Sequence, residues 1–148
     1  MKLFESFKLG NLELSNRMVM APLTRSRSTA DHVPQALMAT YYGQRATAGL
    51  IITEGTSPSL NGAGYPRIPG IYNAAQTEAW KQVTQAVHEN GGKIFLQIMH
   101  TGRVTHPHNL DEGGKVLAPS AIGLQQTKMY TDQEGELPIP PPQEMNAE

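Results

Sequence analysis

Apolar positions along the chain follow two rhythms that take turns. Phe7 and Leu9, then Leu12 and Leu14, are each spaced by one polar residue on either side of Gly10-Asn11, the pattern of a short hairpin. Met18-Val19-Met20-Ala21 is a brief apolar run, stopped by Pro22, which has no N–H to extend a ladder. Between Asp31 and Ala48 the period lengthens. Leu37, Met38, Tyr41 and Tyr42 fall on one helical stripe, Pro34 suits the first turn, and Gly49 is placed to end the helix. Leu50-Ile51-Ile52 then fits a strand covered on both faces.

The cycle repeats once. A loop rich in Gly and Pro, Gly55 to Tyr72, leads to Asn73, a helix N-cap with Gln76 three residues on. Trp80, Val83 and Val87 form the apolar face of a second helix, closed by Gly91-Gly92, and Lys93 to Ile98 predicts a third buried strand. Strand, helix, strand, helix, strand, with Gly at each handover, predicts a parallel sheet joined by right-handed crossovers, an α/β architecture.

From His100 to Gln143 neither rhythm persists. Scraps such as Lys115-Val116-Leu117 read as strand, Leu137 to Pro142 as extended polyproline-like chain, and Gln143 to Glu148 as the first turn of a further helix. A long stretch of this kind marks a functional excursion, here residues 100–143. Three parallel strands with an open edge do not close a fold, and an eight-stranded (β/α) barrel takes at least ~200 residues. Residues 1–148 therefore read as part of a single larger α/β domain, with a small open sheet as the alternative.

Composition removes several classes. The absence of Cys excludes a disulfide scaffold, a Cys-ligated zinc and a thiol nucleophile. Twelve Lys and Arg offset thirteen Asp and Glu, leaving no electrostatic footprint for nucleic acid. No apolar run approaches the ~20 residues of a membrane span. Met1 to Glu5 carries no apolar export signal. The expectation is a soluble cytoplasmic protein without nucleic-acid or membrane partners.

Ligands of α/β sheets bind at the carboxyl ends of the strands. Those ends read Ala21-Pro22-Leu23-Thr24, Thr53-Glu54-Gly55-Thr56 and Gln97-Ile98-Met99-His100. They offer a hydroxyl, backbone amides and a carboxamide beside a Gly that allows close approach. A planar heteroaromatic with amide-like edges suits such a set, because Gln97 can donate and accept at once.

Four ordered stretches carry a resemblance. Asn16 to Arg27 (NRMVMAPLTRSR), Tyr41 to Gly55 (YYGQRATAGLIITEG), Gly64 to Tyr72 (GYPRIPGIY) and Phe95 to Arg103 (FLQIMHTGR) resemble the old yellow enzyme family of flavin-dependent ene-reductases. The resemblance implies a (β/α)8 TIM barrel, of which this chain holds the N-terminal hairpin, the first three strands and the excursion after the third. It implies FMN as cofactor and NADPH or NADH as hydride donor. The substrate implied is an activated alkene or a nitro compound.

By the same resemblance, Ala21, Pro22, Leu23, Thr24, Gly55 and Gln97 bind the cofactor, Thr24 through its hydroxyl and Gln97 along the pyrimidine edge. Thr24, Tyr65 and Met99 face the substrate. Met99 stands where many family members have Trp, which implies a wider or re-shaped substrate cavity. No catalytic residue is expected in this chain: the substrate-holding His with Asn or His, and the proton-donating Tyr, belong to a later strand. The implied partner is a complementary C-terminal portion of the same barrel. A second reading is a catalytically incomplete fragment that acts only by complementing such a portion.

Other motifs carry less. His100, His106 and His108 with Asp111 and Glu112 sit in a proline-bearing loop, unsuited to rigid metal ligation, so no metal is expected. Gly62-Ala63-Gly64 lacks the third Gly of a dinucleotide fingerprint. Pro138 to Pro141 fits PxxP, with a semi-rigid spacer as the plainer reading. Arg25 and Arg27 read as a solvated loop face.

Overall fold

The computed structural model describes residues 1–146. An antiparallel hairpin comes first, β1 (Phe7–Leu9) against β2 (Leu12–Leu14), turning at Gly10, whose φ of 59° favours glycine. The centre is a three-stranded parallel sheet of β3 (Val19–Met20), β4 (Leu50–Thr56) and β5 (Ile94–Ile98), in that spatial order. Helix α1 (Ala36–Gly43) makes the first crossover and α2 (Ala74–Glu89) the second. The predicted alternation is thus observed.

One face of the sheet packs on the helices. Ile51 joins Met38 and Tyr42 of α1 and Trp80, Val83 and Val87 of α2 in a common core, with Met20, Ile94 and Leu96 against it. Trp80 is fixed by donation from its indole Nε1 to Gly70 O at 3.0 Å. The other face and both sheet edges are open: Val19, Phe95 and Ile98 are 53%, 51% and 57% exposed. The third strand is therefore not the doubly covered strand its composition predicts.

Helix α1 is shorter than the predicted Asp31–Ala48. Residues ahead of it are committed elsewhere, with Gly70 N donating to His32 O (2.8 Å) and Val33 N to Thr29 Oγ1 (3.1 Å). Of the predicted stripe, Met38 and Tyr42 are buried while Leu37 is exposed. Gly49 is not a helix terminator, because α1 ends at Gly43 and turns follow. A Cβ on Gly49 would stand 2.1 Å from the backbone oxygen of Asn16. Asn16 Oδ1 accepts both Met18 N (3.0 Å) and Gly49 N (2.9 Å), tying the entries of β3 and β4 together.

Asn73 caps α2 as expected, accepting Gln76 N at 2.9 Å. Gln76 does not complete a capping box. Its buried carboxamide accepts Tyr72 N (2.9 Å) and donates to Asp31 O (3.2 Å), latching the 57–72 loop to the segment before α1.

The excursion is more regular than its composition suggests. It contains β6 (Leu117–Ala118), a hairpin of β7 (Lys128–Thr131) and β8 (Gly135–Pro138), and β9 (Gln143–Glu144), which pairs in parallel with β6. Leu137 and Pro138 thus lie in a strand, not in polyproline-like chain. Gln143 and Glu144 are likewise strand rather than helix, and Ala147 and Glu148, also in that predicted turn, lie outside the described residues. Among the described residues no helix is long and apolar enough to cross a membrane.

Candidate functional site

The carboxyl ends of the three parallel strands meet at one end of the sheet. Ala21, Pro22, Leu23 and Thr24 form an exposed ledge beyond β3. Gly55 and Gln97 are direct register partners on β4 and β5. Met99 is held next to them by donation from its N–H to Thr56 O at 2.9 Å. Thus Gly55, Gln97 and Met99 come together, and the 21–24 ledge is tied to β4 by donation from Arg25 N to Glu54 Oε2 at 3.1 Å. Tyr65 is half-buried on a separate loop. That loop is bound to the excursion by Asn109 Nδ2 donating to Gly64 O at 3.1 Å and Thr101 Oγ1 to Gly62 O at 3.0 Å.

A β-bulge creates the Gly55–Gln97 pairing. The register runs Ile52 to Phe95 and then Gly55 to Gln97, so Thr53 and Glu54 together oppose Leu96 alone. Strict alternation after Ile52 would put Glu54 on the open face and turn Gly55 towards the helices. The extra residue reverses this. Thr53 and Glu54 are both buried, Glu54 reaches Tyr42 on α1, and Gly55 shares the open face with Gln97.

Glu54 joins three elements. Its Oε2 accepts Arg25 N at 3.1 Å, its Oε1 accepts the Tyr42 hydroxyl at 3.2 Å, and its own N–H donates to that hydroxyl at 2.9 Å. Burial pushes the carboxyl above its ordinary range, opposed by the Arg25 amide and the Tyr42 hydroxyl. Tyr42 is held well above the usual phenol range by burial and then by the neighbouring Glu54 charge. Sequence reasoning missed Thr53, Glu54 and Tyr42 as site-building residues. The available signal was a Thr-Glu pair inside a strand otherwise apolar on both faces, since such a pair is buried only with partners.

The donor set suits a planar heteroaromatic with amide-like edges. Gln97 and Thr24 use no side-chain polar atom in a hydrogen bond among the described residues, so both are free for a ligand edge. Gly55 offers a face without Cβ. Met99 already covers that face, its Sδ standing 2.7 Å from where a Cβ would be. A thioether on rotatable bonds can shift to line a planar ligand. The arginines of the β3 exit are engaged elsewhere: Arg25 lies over the Tyr41 ring at 5.6 Å, and Arg27 Nη1 donates to Arg25 O at 3.0 Å.

The histidine loop lies on the excursion. His106 Nδ1 accepts His108 N at 3.2 Å, and burial, then the neighbouring His108, lowers the His106 imidazole below its ordinary value. Among the described residues no group of three or more His, Asp or Glu could hold a metal ion.

Comparison with known proteins places this geometry. The sequence model of the NADH:flavin oxidoreductase / NADH oxidase family matches residues 2–146, and the chain belongs to that family. It is 43% identical over 143 residues to a probable flavin mononucleotide-dependent alkene reductase of Leishmania infantum, covering 95% of this chain and 39% of that protein. It is 44% identical to 12-oxophytodienoate reductase 1 of Oryza sativa subsp. japonica, covering 92% and 38%.

Among solved structures it superposes on the morphinone reductase N189A mutant in complex with tetrahydroNAD with a TM-score of 0.92 and 44% identity, covering 99% of this chain and 41% of that one. The old yellow enzyme homologue from Zymomonas mobilis gives 0.91 and 44%, covering 99% and 40%. The chain thus spans about two fifths of the length of these relatives, matching the N-terminal part of their (β/α)8 barrel.

Proposed function

We propose that the chain forms one wall of the flavin site of an FMN-dependent reductase of activated alkenes or nitro compounds, driven by NADPH or NADH. One observation carries this reading: the bulge sets Gly55 and Gln97 side by side on the open face, next to the exposed ledge 21–24, at the ligand-binding end of a parallel sheet. The likeness to a flavin mononucleotide-dependent alkene reductase and to morphinone reductase supports the same chemistry. When bound, FMN supplies the hydride-transfer chemistry.

The chain's own contribution is binding and orientation. Gln97 presents donor and acceptor to one ring edge, Thr24 donates its hydroxyl where negative charge builds, and Ala21, Pro22 and Leu23 lie along the ring. Gly55 admits the ring to the strand backbone. Thr24, Met99 and Tyr65 shape the substrate side. The groups that hold the electron-withdrawing end of the substrate and deliver its proton belong to the remainder of the barrel.

A second reading, that the chain works by joining a separate portion of the barrel, draws on the open edges. An open groove of about 550 Å³ lies between β3 and the end of α1, its apolar lining including Met18, Val19, Met20 and Leu23.

These residues are proposed to meet a ring and not a phosphate, so the chain is expected to take up lumiflavin and FMN with affinities within about threefold of each other. Fluorescence titration of the full chain measures this. Absence of uptake of either flavin would sink the reading, and much tighter binding of FMN would place the phosphate contacts here. With added NADPH and cyclohexenone, no robust turnover is expected of this chain alone.

A further inference from the structure

We infer that Thr53 is a positioning residue that sets Gln97 for the flavin edge, an inference that rests on the flavin reading above. The bulge opposes two residues of β4 to Leu96 alone, which interrupts the backbone ladder ahead of Gln97. The Gln97 N–H donates to the Thr53 hydroxyl at 3.0 Å, at the point where the register shifts. The same hydroxyl donates its own proton to Glu54 O at 3.0 Å, so it relays between the two strands across the gap.

Thr53 is 1% exposed, so water has no ready access to replace the contact. A β-branched side chain has a restricted χ1 in a strand, which keeps this oxygen aimed at one place. The hydroxyl therefore sets the backbone of Gln97 at the position where its carboxamide shares the open face with Gly55. A bulge without it would leave the Gln97 amide unpartnered and its residue free to rotate within the sheet.

Three versions of the full chain separate positioning from packing: wild type, Thr53→Val and Thr53→Ser. Val keeps the shape and loses the oxygen, whereas Ser keeps the oxygen and loses the methyl. Amide hydrogen exchange at Gln97 and lumiflavin affinity by fluorescence titration are read for each. In Thr53→Val, exchange at Gln97 quickens and lumiflavin affinity falls, each roughly tenfold, while Thr53→Ser stays within about threefold of wild type in both.

Wild-type values in Thr53→Val overturn the inference, as does a Ser variant as impaired as Val, which assigns the role to the methyl. Should Thr53→Val fail to fold, the Ser variant decides on its own: wild-type values uphold the hydroxyl and impaired ones overturn it. A wild-type chain that takes up no flavin removes the flavin reading and this inference with it. That outcome is distinct from a wild type that binds alongside a Val variant that binds equally well.

Discussion

At single positions, two substitutions probe what the fold asks of its side chains. Gly49 is required by proximity, not by its dihedral angle. Gly49→Ala presses a methyl into the Asn16 carbonyl and is expected to cost about 1–3 kcal/mol, read as a lowered urea midpoint. Glu54 makes stability depend on pH. Its carboxyl is raised above the ordinary 4.5, so the folded chain binds that proton more tightly than the unfolded chain does. The group costs nothing while both states are protonated, below 4.5, and its cost grows as pH rises through the raised folded value. Wild type therefore loses stability relative to Glu54→Gln as pH rises above 4.5, until the folded carboxyl is also ionised; parallel curves would exclude Glu54 as the source.

Elements were legible where they carry their own reason for forming. Helix α2 shows it best: Asn73 caps it, Trp80, Val83 and Val87 lie one turn apart on its buried face, and Gly91, at a φ of 74°, follows its end. Trp80→Ala empties the centre of the core and frees the Gly70 carbonyl, and about 3–5 kcal/mol is the expected loss by denaturant titration followed by circular dichroism. The β7–β8 hairpin was not legible. Leu137 and Pro138 open a run with the composition of polyproline-like chain and lie in a strand because Met129 and Lys128 offer them a partner ladder. The true extent of α1 was hidden for a related reason. Residues 31–35 are compatible with a helix, but His32 N and both backbone groups of Val33 are bonded to Thr29, while His32 O accepts Gly70 N and Asp31 O accepts the Gln76 carboxamide, both far along the chain.

Across the molecule, one sheet face is packed and the other open. Strand edges with exposed apolar side chains invite pairing with another chain. The purified chain is therefore expected to self-associate with rising concentration in sedimentation velocity. Phe95→Lys, which places a charge on the open face beside Ile52, should reduce that association without changing the helix-side core. Equal association in both proteins would locate the sticky surface elsewhere.

The amino-acid order by itself determined the parallel α/β layout, the helix-side core and the membership of Ala21–Thr24, Gly55 and Gln97 in one end of the sheet. Those features follow from local periodicity, capping and the rule that ligands gather at strand ends, each of which is written within a few residues. Only the tertiary structure decided which face those residues present. A single extra residue between Ile52 and Gly55 inverts the side-chain alternation of β4, and the Thr53-Glu54 pair, though it signals buried partners, does not fix where the register shifts. The register against β5 and the buried partners of Glu54 on α1 and beyond β3 are what hold the bulge in place.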